Sequence, residues 1–108
     1  MKGSGSGDPV TRAKEYLAMQ DDVPKVNGRP VHTLFAFHKN DLNTMLACCD
    51  AIEANCRKHG FQKYPPPGYF DRVAILRRKA KDCEGATAIQ KRWIALEHAY
   101  RERQKERG

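Results

Sequence analysis

Cys49, Cys56 and His59 come nearest, by type and spacing, to residues that could do chemistry in this chain. On a helix they fall on neighbouring turns, and the step from Cys56 to His59 lets a thiol and an imidazole converge. A thiolate beside a histidine is a nucleophile, and the same groups are zinc ligands. Both readings are incomplete. A structural zinc site uses a closed set of ligands, usually in close pairs. No Cys-x-x-Cys occurs here, and Cys83, His32 or His38 would have to complete the set through the fold. A catalytic thiol must be exposed, whereas Cys49 and Cys56 recur with Leu42, Met45 and Ile52 at steps of three and four, the mark of a packed helix face. His98 has no evident partner, Asp21 and Asp22 read as turn residues, and there is no glycine-rich phosphate loop. The chain is therefore expected to be no enzyme and to hold no metal or cofactor.

Charge is the stronger signal. The net charge is +7, and residues 71–108 hold eleven Lys and Arg against six Asp and Glu. Arg72, Arg77, Arg78, Lys79 and Lys81 fall on one predicted helix, and Lys91, Arg92, Arg101 and Arg103 on the next. Such groups make the phosphate contacts that supply sequence-independent affinity for nucleic acid, so these nine are the candidate binding residues. Arg77, Arg78, Lys81, Lys91 and Arg92 fall off the apolar seams and are expected to be exposed. The competing explanation is a solvated helix face with local ion pairs, of which Glu97 with Arg101 is one at favourable spacing. Tyr69, Phe70, Trp93 and Tyr100 lie on the seams, where packing is their default role.

These residues need elements to position them. Residues 1–7 read as a start residue plus a Gly/Ser linker of cloning origin, and residues 8–108 as a single helical domain. A first helix is predicted from Asp8 and Pro9 to about residue 20, with Val10, Ala13 and Leu17 on one face. Asn27-Gly28 predicts a tight hairpin turn. After it, Val31, Thr33, Phe35 and Phe37 alternate with His32, Leu34, Ala36 and His38. The alternation is read as a strand, against a rival helix starting at Pro30 that places Val31, Leu34, His38 and Leu42 on one face. A helix over residues 41–59 is marked by its seam, by Arg57, Lys58 and His59 in its last turn and by Gly60 as its cap. Pro65-Pro66-Pro67-Gly68 is a rigid connector. Two further helices are predicted, about 69–83 and 88–105. The break is set by Glu84-Gly85-Ala86 and by a capping box of Thr87 with Gln90.

The expected fold is mainly α, a small bundle of about four helices with a short β-hairpin near residues 25–37. The strand-then-two-helix order read over residues 31–83 resembles that of ribbon-helix-helix repressors. Their strand carries polar readers, however, and residues 31–37 are apolar, so nothing functional is carried over. No apolar run is long enough to span a bilayer. The four cysteines do not form a secreted disulfide pattern, which points to reduced thiols in the cytoplasm. The leading expectation is a small basic binding module that docks a cationic helical face on nucleic acid or an acidic nucleoprotein surface. The alternative is an interaction module, an inhibitor or adaptor, that binds a protein through apolar, aromatic and Arg anchors. The helical seams could also pair two copies of the chain.

Overall fold

The computed structural model describes residues 23–107. Among these residues the fold is mainly helical, with four helices and one two-stranded antiparallel hairpin. The helix predicted over residues 8–20 lies outside the described residues.

The hairpin pairs β1 (Lys25–Val26) with β2 (Arg29–Pro30), in the register Lys25 opposite Pro30 and Val26 opposite Arg29. Its turn is Asn27-Gly28, with φ of 51° and 80°. Two positive φ values in succession define the primed turn that this dipeptide favours. The ladder is then abandoned after two residues per strand. Helix α1 (Val31–His38) starts directly behind Pro30.

Helix α1 corrects the extended reading of residues 31–37. The segment satisfies both periodicities, because its apolar residues lie at alternate positions and also at steps of three and four. A strand here would need a partner for its backbone groups, whereas a helix satisfies its own. The helix also buries Val31 and Leu34 on the core and packs Phe35 against Tyr69, ring centroids 5.2 Å apart. The helix stops at His38 rather than running on into the next element.

Helix α2 (Leu42–Lys58) matches its predicted bounds, with Asp41 as N-cap residue. Met45, Cys48, Cys49, Ile52 and Cys56 are its buried face. It ends as the Gly60 signal implies. Gly60 takes φ of 62°, the Phe61 amide donates to the Cys56 carbonyl at 2.8 Å, and the Gly60 amide donates to the Arg57 carbonyl at 3.1 Å. Those two bonds are the Schellman arrangement.

Helix α3 (Pro67–Lys79) starts at the third proline, two residues earlier than predicted, because a first helical position does not need the missing N–H. Pro65 is fully buried, and its carbonyl accepts the Trp93 indole N–H at 2.9 Å, so the connector is a structural strut. Helix α4 (Cys83–Arg107) follows after three residues. The break between the last two helices is thus at 80–82 and not at 84–87. Steps of three and four from Val73 and Leu76 would set Ala80 and Cys83 on the core seam, yet both are exposed. The Lys81 amide donates to the Arg78 carbonyl at 2.9 Å and the Asp82 amide to the Arg77 carbonyl at 2.8 Å, a second Schellman ending with Lys81 itself at φ of 64°. Asp82 then caps α4 by accepting the Gly85 amide at 2.9 Å. Gly85 leaves room for its neighbours: a Cβ there would press on the Asp82 carboxylate and on Arg77 Cδ, and both side chains would have to shift.

The two helices run back antiparallel, so that Arg92 lies over Phe70 and Trp93 reaches Pro65. Their inner faces, with Phe70, Val73, Ala74, Ala86, Ile89 and Leu96, close the core against α2. Burying each large side chain of this set contributes about 1.5–3 kcal/mol.

Candidate functional site

The nine cationic candidates fall into three groups, separated by what each charge faces. Arg72, Arg77 and Arg78 of α3 bond to neutral oxygens. The Arg72 Nε donates to the Lys39 carbonyl at 2.7 Å, and its Nη2 donates to the Asn40 side-chain carbonyl. Arg77 Nη1 donates to the Gly85 carbonyl at 2.8 Å, and Arg78 Nη2 donates to the Gln90 amide oxygen at 2.9 Å. A neutral acceptor orients a guanidinium without cancelling its charge. Lys79, Lys81 and Lys91 are exposed, and their side chains have no ion pair or hydrogen bond among the described residues.

The third group lies on α4 and faces carboxylates. Arg92 Nη2 is 2.7 Å from Asp50 Oδ1, its Nε is 2.6 Å from Glu53 Oε1, and its side chain is 30% exposed. The guanidinium also sits 5.9 Å from the Phe70 ring centroid. Its hydrogen bond to Glu53 holds that carboxyl below the usual range, and Arg57 adds to the effect from 3.0 Å. Arg101 pairs with Glu97, and Arg103 lies 3.5 Å from Glu106. Exposure therefore holds for Arg78, Lys81 and Lys91, while Arg77 and Arg92 are half-buried. Arg92 is a brace between α2 and α4.

The uncompensated cations of α3 divide between two sides: Arg77 turns toward Gly85 of α4 and is half-buried, whereas Arg72 and Lys79 lie outward. Arg72, Ile75 and Lys79 repeat at steps of three and four on the outward side of α3, and that row leads to Lys81 at the elbow. At the other end, Arg72 holds the α1–α2 loop, where Lys39 is exposed.

Beyond that loop is a cleft of about 510 Å³, lined by Val26 and Arg29 of the hairpin, Leu34 and His38 of α1, and Asn43 and Thr44 of α2. Arg29 is exposed with no partner among the described residues. The acid at this end, Asp41, accepts the Thr44 hydroxyl at 2.7 Å, which holds its carboxyl below the usual range. Sequence reasoning missed Arg29 and the place of His38 in the lining of this cleft. Reading residues 31–38 as helix would have set Leu34 and His38 on one edge, behind the hairpin turn.

Three of the four cysteines are shielded by position, and Cys83 is exposed. Cys48, Cys49 and Cys56 are buried. Burial pushes the Cys49 thiol up to about 12, overriding the opposing pull of Arg92. Burial also raises Cys48 and Cys56. Burial thus keeps these three thiols protonated and shielded at neutral pH. Among the described residues, no three His, Cys, Asp or Glu side chains converge as metal ligands, and no helix is long and apolar enough to cross a membrane. No protein-family model matches the chain, and neither a curated protein nor a solved structure does so.

Proposed function

We propose that this protein is a small non-enzymatic binding module that docks the cationic surface of α3 and the α3–α4 elbow on nucleic acid. One observation carries the reading: Arg72, Arg78, Lys79 and Lys81 meet neutral acceptors or none, so their charge is available to phosphates. Structural ion pairing explains Arg92, Arg101 and Arg103, which leave the proposed surface. Phosphate contacts release counterions, so affinity for DNA or RNA falls about tenfold or more between roughly 50 and 200 mM salt. The test is fluorescence anisotropy with the Lys79→Glu/Lys81→Glu variant. Its helicity is unchanged and its affinity drops at least about tenfold, since each charge-assisted contact contributes about 1.5–3 kcal/mol. Wild-type protein that binds neither DNA nor RNA at low salt ends the proposal.

A second reading has its own support. Phe37 is 79% exposed and Ile94 57% exposed. Apolar groups left outside the core are what a protein-interaction module, inhibitor or adaptor, would use as anchors. That reading predicts binding to a protein partner that is insensitive to salt and lost on Phe37→Ala or Ile94→Ala.

A further inference from the structure

The cleft beside the hairpin combines features that packing leaves unexplained. Its floor is apolar, formed by Val26, Leu34 and Ala47. Its walls carry hydrogen-bond donors from two separate elements, the Arg29 guanidinium and the Asn43 amide, and His38 closes the α1 edge. Arg29 spends its charge on no carboxylate among the described residues. The volume of about 510 Å³ lies inside the range of roughly 300–1,000 Å³ typical of sites that take small molecules or single residues of a polymer.

Phe37 does not line the cleft but lies outside it, next in sequence to His38, which does. Phe37 is about 60° round the helix from Leu34, on the side away from Phe35. Phe35 is spent on Tyr69, whereas Phe37 has no ring contact among the described residues and is 79% exposed. An isolated aromatic face beside a cationic, partly apolar cleft is the pairing that holds an unstacked base and its phosphate. Duplex offers its phosphates but keeps its bases stacked inside, so it could use the α3 surface and could not use Phe37.

We infer that the cleft between the hairpin, α1 and the start of α2 takes the phosphate of one nucleotide of a single-stranded nucleic acid at Arg29 and Asn43, with the base stacked outside the cleft on the exposed Phe37. The strand then runs past Lys39 and Arg72 along α3 to Lys79 and Lys81. Charge complementarity along this path argues for the occupant: Arg29, Lys39, Arg72, Lys79 and Lys81 outnumber the exposed acids beside it, Asp41 and Asp71. The inference rests on the nucleic-acid reading above and adds strandedness to it.

The test is anisotropy titration of labelled homopolymers of about 12 nucleotides, oligo(U) and oligo(dT), against a duplex of equal length. Wild type, Phe37→Ala, Phe37→Trp, Arg29→Ala and Lys79→Glu/Lys81→Glu are compared, with circular dichroism confirming the fold. The expected result is tighter binding of single strands than of duplex. Phe37→Ala lowers single-strand affinity about five- to a hundredfold and leaves duplex binding unchanged, and Phe37→Trp retains it. Arg29→Ala follows Phe37→Ala in direction. Equal binding of single strand and duplex, or single-strand affinity indifferent to both Phe37→Ala and Arg29→Ala, overturns the inference while the α3 surface reading stands. Failure of wild type to bind any of the three probes overturns both.

Discussion

Helices α3 and α4 carry similar cations and treat them in opposite ways. On α4 the arginines face acids: Arg92 joins Asp50 and Glu53, Arg101 joins Glu97, and Arg103 approaches Glu106. On α3 the arginines face a backbone carbonyl or a side-chain amide, and the lysines at its end face solvent. The contrast teaches that a count of basic residues says little about a cationic surface. What matters is whether the partner of each charge is itself charged. A guanidinium held by a carbonyl is ordered yet still positive, which suits a group that must meet a phosphate without first being immobilised.

The largest effect that separates the two regions is thiol accessibility. Cys83 opens α4 at the exposed elbow, whereas Cys49 lies under Arg92 in the core. With a disulfide-exchange reagent at neutral pH, Cys83 reacts at least about a hundredfold faster than Cys48, Cys49 and Cys56, which must wait for local opening. Uniform reaction of the four thiols would break the contrast between an open elbow and a closed interface.

Charge replacement comes next. Arg92→Ala leaves Glu53 half-buried without its main partner and destabilises the fold by about 1.5–3 kcal/mol, read from denaturant melts. Arg101→Ala, whose pair is solvated, changes stability by less than about 1 kcal/mol. The acid limb of stability tests the same brace. The Glu53 carboxyl titrates below its usual value in the folded protein. Its contribution is therefore present above the unfolded-state pKa near 4.3 and is lost as pH falls through the lower folded value. Arg92→Ala flattens that part of the pH profile, and an unchanged profile would remove Arg92 as the cause.

The smallest effect compares two helix endings. Gly60 and Lys81 hold the same left-handed position in the same hydrogen-bonded cap. Glycine does so without a Cβ clash, whereas lysine is strained by about 1 kcal/mol. Lys81→Gly accordingly raises stability by up to about 1 kcal/mol and weakens nucleic-acid binding, two readouts of opposite sign from one substitution. A variant that gains stability and binds as before would place Lys81 outside the surface.

That same pair explains which parts of the fold were legible in sequence. Helix α2 could be read because its seam, its closing cations and Gly60 all agree. The α3–α4 break was displaced because a lysine in a left-handed cap gives no sequence signal. Gly85 was taken as a breaker when its role is to let Asp82 and Arg77 approach. Helix α1 was hidden by a segment that fits two periodicities equally. Which charges stay free was legible only within a helix, where spacing gave the Glu97–Arg101 pair, since Asp50 and Glu53 lie about forty residues before Arg92 and meet it only through the fold. The cleft was missed for the same reason, because Arg29, His38 and Asn43 come from three elements.

The brevity of the elbow has a kinetic consequence. Three residues join α3 to α4, so closing this pair costs little loop entropy, whereas the contact of Arg92 with Glu53 must close a far longer loop. The two-helix unit is thus the part of the chain able to form before the rest condenses on it. In a chevron analysis, truncating Ile89 or Val73 slows folding, while truncating Arg92 chiefly speeds unfolding. The surface assigned to nucleic acid would then be the earliest piece of the molecule to take shape.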